Sequence, residues 1–161
     1  MVKLLISRLL LEFFLILLLY VFQSVFLDYM EILGAKPDFL FLYLCYRSLR
    51  EDNPLYGTGL GFAIGFVQGL YSPTTLGAHA FAKTIVGFVL GKNDSRTSWN
   101  EFFTLVAIFF SMLGHDLIYY IFTNWKALVY NMINISIGSA IYTTGIAAVI
   151  LFIFSGLNNK E

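Results

Sequence analysis

Long apolar segments separated by short polar linkers dominate this sequence of 161 residues. A transmembrane helix needs about 20 mainly apolar residues, and several of the segments approach that length. Charged residues make up only 12% of the chain, whereas a soluble domain carries about 25%. The sequence therefore predicts an all-α membrane protein, in which residues 1–161 form one integral membrane domain, a bundle of six transmembrane helices. The predicted helices are about 4–27, 37–49, 55–72, 76–91, 101–123 and 128–155.

The basic residues predict how the helices are oriented in the bilayer. The apolar run Leu9–Leu27 is longer than a signal-peptide core and lacks a small-residue cleavage site, so we interpret it as a retained helix. Segment 37–49 would reach only about 20 Å, so it is short, tilted or re-entrant. Six spans with an inner N-terminus place seven basic residues inside and two outside, which favours two cytoplasmic termini. The inner residues would be Lys3, Arg8, Arg47, Arg50, Lys92, Arg96 and Lys160, and the outer ones Lys36 and Lys126.

Glycines recur at four-residue spacing in the third segment, at positions 57, 61, 65 and 69. Position i+4 returns to the same helix face, so these glycines predict a smooth groove along the helix. Stripes of small residues let membrane helices approach closely, and we expect this one to pack against a helix of this chain or of a partner. The fourth segment adds Gly87 and Gly91 on the face that also carries His79 and Lys83.

Lys83 and Asp116 are charged residues inside predicted membrane helices. A charge near the bilayer centre costs about 2.5–3.5 kcal/mol on insertion scales, so it is expected to be paired, solvated or functional. The two residues lie at matching depths, which predicts an ion pair or a shared polar cluster with His79 and His115. Alternatives are a proton or ion relay, a polar pocket, or metal binding by the two histidines, although no convergent ligand set accompanies them.

Further polar residues are expected to form interhelical hydrogen bonds rather than a catalytic site. The sequence contains no G-x-S-x-G, HExxH or phosphate-loop motif, which predicts a protein that is not an enzyme. We expect no cofactor, no metal and, with zero net charge and no basic run, no nucleic acid partner. The lone Cys45 is interpreted as a small apolar helix residue. The expected interhelical residues are Glu12, Gln23, Gln68, Asn131 and Asn134.

The stretch Lys36–Lys92 resembles the MreD family of rod shape-determining membrane proteins. The resemblance rests on KPDFLFLYLCYRSLR and on GTGLGFAIGFVQGLYSPTTLGAHAFAKTIVGFVLGK. The length and the helix pattern also fit, so it extends over most of the chain. One departure is Gly69 after Gln68, where many family members carry an aspartate, so a role tied to that acid does not transfer to this chain.

The resemblance implies a scaffold in the bacterial inner membrane, within the machinery that inserts lateral peptidoglycan and maintains rod shape. It implies a single-span partner, MreC, and more distant partners of the MreB, RodA and class B penicillin-binding protein families. It also implies a fold similar to the substrate-binding components of vitamin uptake transporters. An alternative follows from that fold, namely a vitamin-sized pocket near the outer face. We expect such a pocket to be lined by His79, Lys83, His115, Asp116 and Trp125.

Overall fold

The computed structural model describes residues 2–26, 29–32, 34–51, 53–70, 75–92 and 101–158, and nearly all of them are helical. The last of six helices, α6, begins as Leu128–Asn131, passes through a π-helical segment, Met132–Ser136, and continues as Ile137–Asn158. The predicted helix ends at 27 and 72, and the charges Arg96 and Lys160, lie outside the described residues. The other helices are α1 (Val2–Phe26), α2 (Phe39–Glu51), α3 (Pro54–Gly69), α4 (Leu76–Gly91) and α5 (Glu101–Thr123).

Two of these helices are long and apolar enough to cross a bilayer on their own. They are α5, and the continuous stretch Trp125–Ile153 that includes most of α6. Shorter apolar helices cover Leu10–Phe26 and Gly77–Gly91. Large apolar side chains stay exposed along the outside of the bundle, as expected where a helix surface faces lipid rather than water.

The glycine stripe of α3 packs directly on the backbone of α4. A Cβ atom added to Gly57 would lie 2.1 Å from the carbonyl oxygen of Gly87, and one on Gly61 would lie 2.1 Å from that of Lys83. At Gly65 the nearest atom is the carbonyl oxygen of His79, at 2.4 Å. The stripe is therefore filled by a helix of the same chain and offers no surface to a partner helix. Gly91 packs against Asn53 at the start of α3, and Gly69 is buried in the last turn of α3.

Helix α2 forms the centre of the bundle, whereas α1 lies at its edge. Leu40, Phe41, Leu44 and Cys45 on α2 are fully buried. On α1, Ile16 and Gln23 are the buried residues among those whose side chains are described. We call the end of the bundle where α3 ends at Gly69 and α4 begins the cavity end. The arginine end is the opposite end, where α2 ends and carries Arg47 and Arg50.

Candidate functional site: a polar cavity at the buried start of α2

The first turn of α2 lies inside the bundle, and its backbone N–H groups are satisfied by side chains. A helix start leaves N–H groups without intrahelical partners, and they cannot bond to water in an apolar interior. The Asp38 carboxylate caps the helix by accepting from Phe41 N at 2.9 Å. Gln23 Oε1 of α1 accepts from Leu40 N at 3.1 Å, and Thr143 Oγ1 of α6 accepts from Asp38 N at 3.2 Å. Two other helices therefore fix where α2 begins.

The carboxylate of Asp38 that caps α2 also forms an ion pair with Lys83. Lys83 Nζ lies 2.8 Å from Asp38 Oδ2 and 4.8 Å from the centroid of the Phe41 ring, and the lysine side chain is completely buried. The predicted Lys83–Asp116 ion pair is therefore wrong. Because α2 has only 13 residues and the linker before it runs back into the bundle, Asp38 lies within reach of Lys83. Asp38 is 7% exposed, which is unusual for a carboxylate unless it is paired.

Asp116 lies beside its neighbour on α5, His115, instead. His115 Nδ1 is 2.9 Å from Asp116 Oδ1, which is hydrogen-bond distance. The His115 ring lies 6.0 Å from that of His79, and His79 stacks on Tyr119 with centroids 4.4 Å apart. The pair hypothesis failed, but the structure does bring His79, His115 and Asp116 to one place.

That place is a polar cavity of about 330 Å³ at the cavity end. It extends from the linker directly before α2 to the last three turns of α5, and the π-helical segment of α6 contributes to its wall. Lys83 does not line the cavity itself, but its partner Asp38 does. Trp125 was expected in the pocket and does not line it. It is lined by the linker before α2 and by residues of α1, α3, α4, α5 and α6, including Gln23, Lys36, Asp38, Gln68, His79, His115, Asp116, Tyr119, Tyr120, Ile135 and Ser139.

Three buried polar atoms on the cavity wall have no hydrogen-bond partner within the described residues. They are Gln68 Oε1, His79 Nδ1 and His115 Nε2. The amide nitrogen of Gln68 is satisfied, because it donates to Asp38 Oδ2 at 3.3 Å. An unpaired buried polar group costs roughly 1–3 kcal/mol, so this wall is suited to a ligand or a chain segment that supplies the missing hydrogen bonds. The described residues contain no group of three or more His, Cys, Asp or Glu side chains placed to hold a metal ion.

Glu12 takes part in a second polar cluster, at the arginine end. Arg47 of α2 donates to Glu12 of α1 and, at 3.0 Å, to the hydroxyl of Tyr56 on α3. Tyr56 donates in turn to Glu12 at 2.6 Å, and Arg47 also pairs with Glu51 at 3.0 Å. Glu12 and Gln23 thus attach opposite halves of α1 to the bundle, as interhelical polar residues should.

The two asparagines of α6 do not make the interhelical hydrogen bonds expected of them. Asn134 is exposed and donates to the carbonyl oxygen of Tyr130 in its own helix, at 2.8 Å. Asn131 is half-buried and has no side-chain hydrogen bond to another helix within the described residues. The π-helical segment Met132–Ser136 changes the angle between successive side chains, so a prediction that assumes regular α-helical spacing does not apply to these asparagines.

Sequence reasoning missed Asp38 and Thr143. Asp38 carried a usable signal, since an aspartate directly before a helix and three residues ahead of Phe41 is a typical N-cap. The predicted start of this helix at residue 37 placed Asp38 inside the helix and hid that role, whereas the helix begins at Phe39. Thr143 carried no such signal, because a threonine inside an apolar helix is compatible with any face.

The fold and the cavity define a class: an all-helical membrane protein with an open polar cavity between apolar helices. Its sequence matches the model of a family described as rod shape-determining protein MreD, over residues 2–160. The chain belongs to the MreD family, which confirms the resemblance inferred from residues 36–92, and a role in determining rod shape follows. Comparisons with curated proteins and with solved structures gave no significant match.

Proposed function

We propose that this protein is a non-enzymatic scaffold of the cell-elongation machinery that synthesises lateral peptidoglycan. In this proposal it lies in the bacterial inner membrane, with both termini in the cytoplasm, and binds the single-span partner MreC. More distant association with MreB, RodA and class B penicillin-binding proteins follows from membership of one machinery. The family match over residues 2–160 is the observation that carries this function.

The charges at the two ends of the bundle support the proposed orientation. Arg47 and Arg50 end α2, and Lys92 follows Gly91, which packs against Asn53 at that same end. Lys36, by contrast, lines the cavity at the other end. Basic residues concentrate on the cytoplasmic side of membrane proteins, so the arginine end is assigned to the cytoplasm and the cavity to the outer face.

The binding mode is inferred from the surfaces that the fold leaves unoccupied. The glycine stripe is filled by α4, so a partner helix has to dock elsewhere. Helix α1 is the most exposed helix, with Phe13, Phe14 and Leu18 among its outward side chains. The cavity adds Gln68 Oε1, His79 Nδ1 and His115 Nε2 for hydrogen bonds. We propose that the partner helix lies along the apolar outer surface and that its outer flanking segment enters the cavity.

A matched pair of substitutions in the π-helical segment tests this mode. Ile135 lines the cavity, whereas Ile133, two residues earlier, is 62% exposed and does not line it. Ile135→Trp should reduce retention of co-expressed MreC on the purified, detergent-solubilised chain at least about ten-fold, the effect of losing an interface hot spot. Ile133→Trp should leave retention unchanged. Equal retention by both variants, each with an unchanged elution profile, would contradict binding through the cavity.

The cavity itself favours a second candidate, a small-molecule binding component of an uptake transporter. A volume of about 330 Å³ is at the lower limit for ligand pockets, which span about 300–1,000 Å³. Native mass spectrometry of the purified chain separates the candidates. A bound small molecule that is lost in Ile135→Trp, with no single-span protein retained by the parent chain, would support transport over the scaffold.

A further inference from the structure

An apolar groove runs along α2 towards the arginine end, on the side away from α3. Its volume is about 270 Å³. Phe39, Leu42, Tyr43 and Tyr46 of α2 form one wall, and Leu19 of α1 lies on one side. Residues of α5 and α6, such as Ile150, close the other side. The groove is lined almost entirely by apolar surface, so its natural occupant in a membrane is hydrocarbon.

The shape of the lining favours an acyl chain over a transmembrane helix. Membrane helices bind one another where small residues let their backbones come close. Here the wall formed by α2 consists of large side chains, and the small lining residues, Thr104 and Ala147, lie on α5 and α6. A helix backbone would be held away from such a wall, whereas a slender, flexible acyl chain can follow it.

A cation without a carboxylate partner lies next to the groove. Arg50 donates to the hydroxyl of Tyr46, a residue that lines the groove, and its guanidinium lies 5.6 Å from the centroid of the Tyr46 ring. Arg47, one turn earlier, is already paired with Glu12 and Glu51. Within the described residues no carboxylate contacts Arg50, so its charge is available to an external anion.

We propose that this groove binds an anionic glycerophospholipid, with one acyl chain along α2 and the phosphate on Arg50. Arginine binds phosphate through paired N–H groups, and basic residues near a membrane surface attract anionic lipids by about 1 kcal/mol each. Because the groove runs towards the arginine end, the lipid would belong to the cytoplasmic leaflet, and only this leaflet assignment rests on the proposed function and its orientation. Lipid binding itself is independent of MreC, so failure of one proposal leaves the other standing.

Native mass spectrometry of the full, delipidated chain in detergent tests the proposal. The chain is titrated with phosphatidylglycerol and with phosphatidylethanolamine of the same acyl length. The parent chain should bind phosphatidylglycerol more tightly. Arg50→Gln should weaken phosphatidylglycerol binding about five-fold and remove the preference, as loss of one cation near the surface predicts. Lys92→Gln, at an exposed cation of the same end that is not beside the groove, should change neither quantity.

A second pair of variants tests whether the acyl chain occupies the groove. Ile150→Trp places an indole in the groove and should weaken binding of both lipids by about the same factor. Ile153→Trp, at a residue 55% exposed and outside the groove lining, should not. The proposal is overturned if Arg50→Gln keeps the preference for phosphatidylglycerol. It is also overturned if the two tryptophan variants, folded alike by thermal unfolding, bind lipid equally well.

Discussion

Helices α3 and α4 form a close backbone contact, and they also contribute to the wall of the polar cavity. The two regions differ in how closely the helices pack. From Gly57 to Gly65, glycines of α3 let the two backbones touch, as at Gly57 and Gly87. Near the cavity end, the side chains of Gln68 and His79 line the cavity instead. The same two helices therefore form a closely packed contact along most of their length and part of a cavity wall at one end.

The difference teaches that glycine permits close packing in a membrane but does not produce it. Close approach needs a facing backbone, and a Cβ added to glycines on the other faces of the two helices, Gly59 and Gly77, would meet nothing within 4 Å. At the cavity end the backbone of His79 still touches Gly65, but the side chains of Gln68 and His79 line the cavity and leave polar atoms unpaired within the described residues. Packing stabilises the first region, whereas the second remains free to bind, which is how stability and function can be divided within one bundle.

The largest effect is expected where a side chain would separate the two backbones. Gly61→Ala places a Cβ atom 2.1 Å from the carbonyl oxygen of Lys83, and α4 cannot move away without losing its contacts at Gly57 and Gly65. Severe overpacking lowers the free energy of unfolding by about 3 kcal/mol, and we expect a larger loss here. Little folded protein should therefore be recovered. Thermal unfolding in detergent and the yield of monodisperse protein measure it.

Gly59→Ala is the matched control for this substitution. It lies two residues earlier on the same helix, and an added Cβ would meet nothing within 4 Å. Its stability should stay within about 0.5 kcal/mol of the parent or rise slightly, because alanine favours the helix. Equal stability of the two variants would remove the contrast between the two sides of α3.

A smaller, still severe effect is expected from the buried ion pair that joins the two regions. Lys83→Met leaves the Asp38 carboxylate without its cation, and removing one member of a buried pair costs about 3 kcal/mol. Adding Asp38→Asn should restore more than half of the loss, since asparagine keeps the cap on Phe41 N without the charge. Unfolding of the two single variants and the double variant in one detergent gives the coupling energy.

Asp116→Asn supplies the matched comparison, because it tests the partner expected from sequence. Combined with Lys83→Met it should restore nothing, since Asp116 lies against His115. A stronger coupling of Lys83 to Asp116 than to Asp38 would show that Asp116, not Asp38, is the ion-pair partner of Lys83.

Much of the fold could be predicted from the sequence, because apolar length and helix-breaking residues act locally. The α4 segment begins and ends where its apolar run does, and Asn53–Pro54 marks the start of α3 with a cap and a first-turn proline. The i+4 spacing also identified one face of α3. It did not identify the covering helix, because spacing within one helix says nothing about which neighbour meets it.

The candidate site was only partly predictable, because its chemistry depends on how deep each residue lies. His79, His115 and Asp116 were found as polar residues in apolar helices, and the cavity unites them. Lys83 was given the wrong partner because the sequence does not show that the linker before Asp38 turns back into the bundle. Asn134 was expected to bond to another helix, because a π-helical segment cannot be detected from a periodicity that assumes a regular α-helix.

The smallest effects concern two amides that sequence reasoning treated alike. Gln23→Leu removes the acceptor for Leu40 N at the buried start of α2, so we expect a loss of about 1–2 kcal/mol. Asn134→Leu removes only a hydrogen bond within its own helix at an exposed site, so the change should stay within about 0.5 kcal/mol. Thermal unfolding of both variants in one detergent measures the difference. If Asn134→Leu proved the more damaging, the outward face assigned to the π-helical segment would be wrong, and so would the cavity wall that this segment forms.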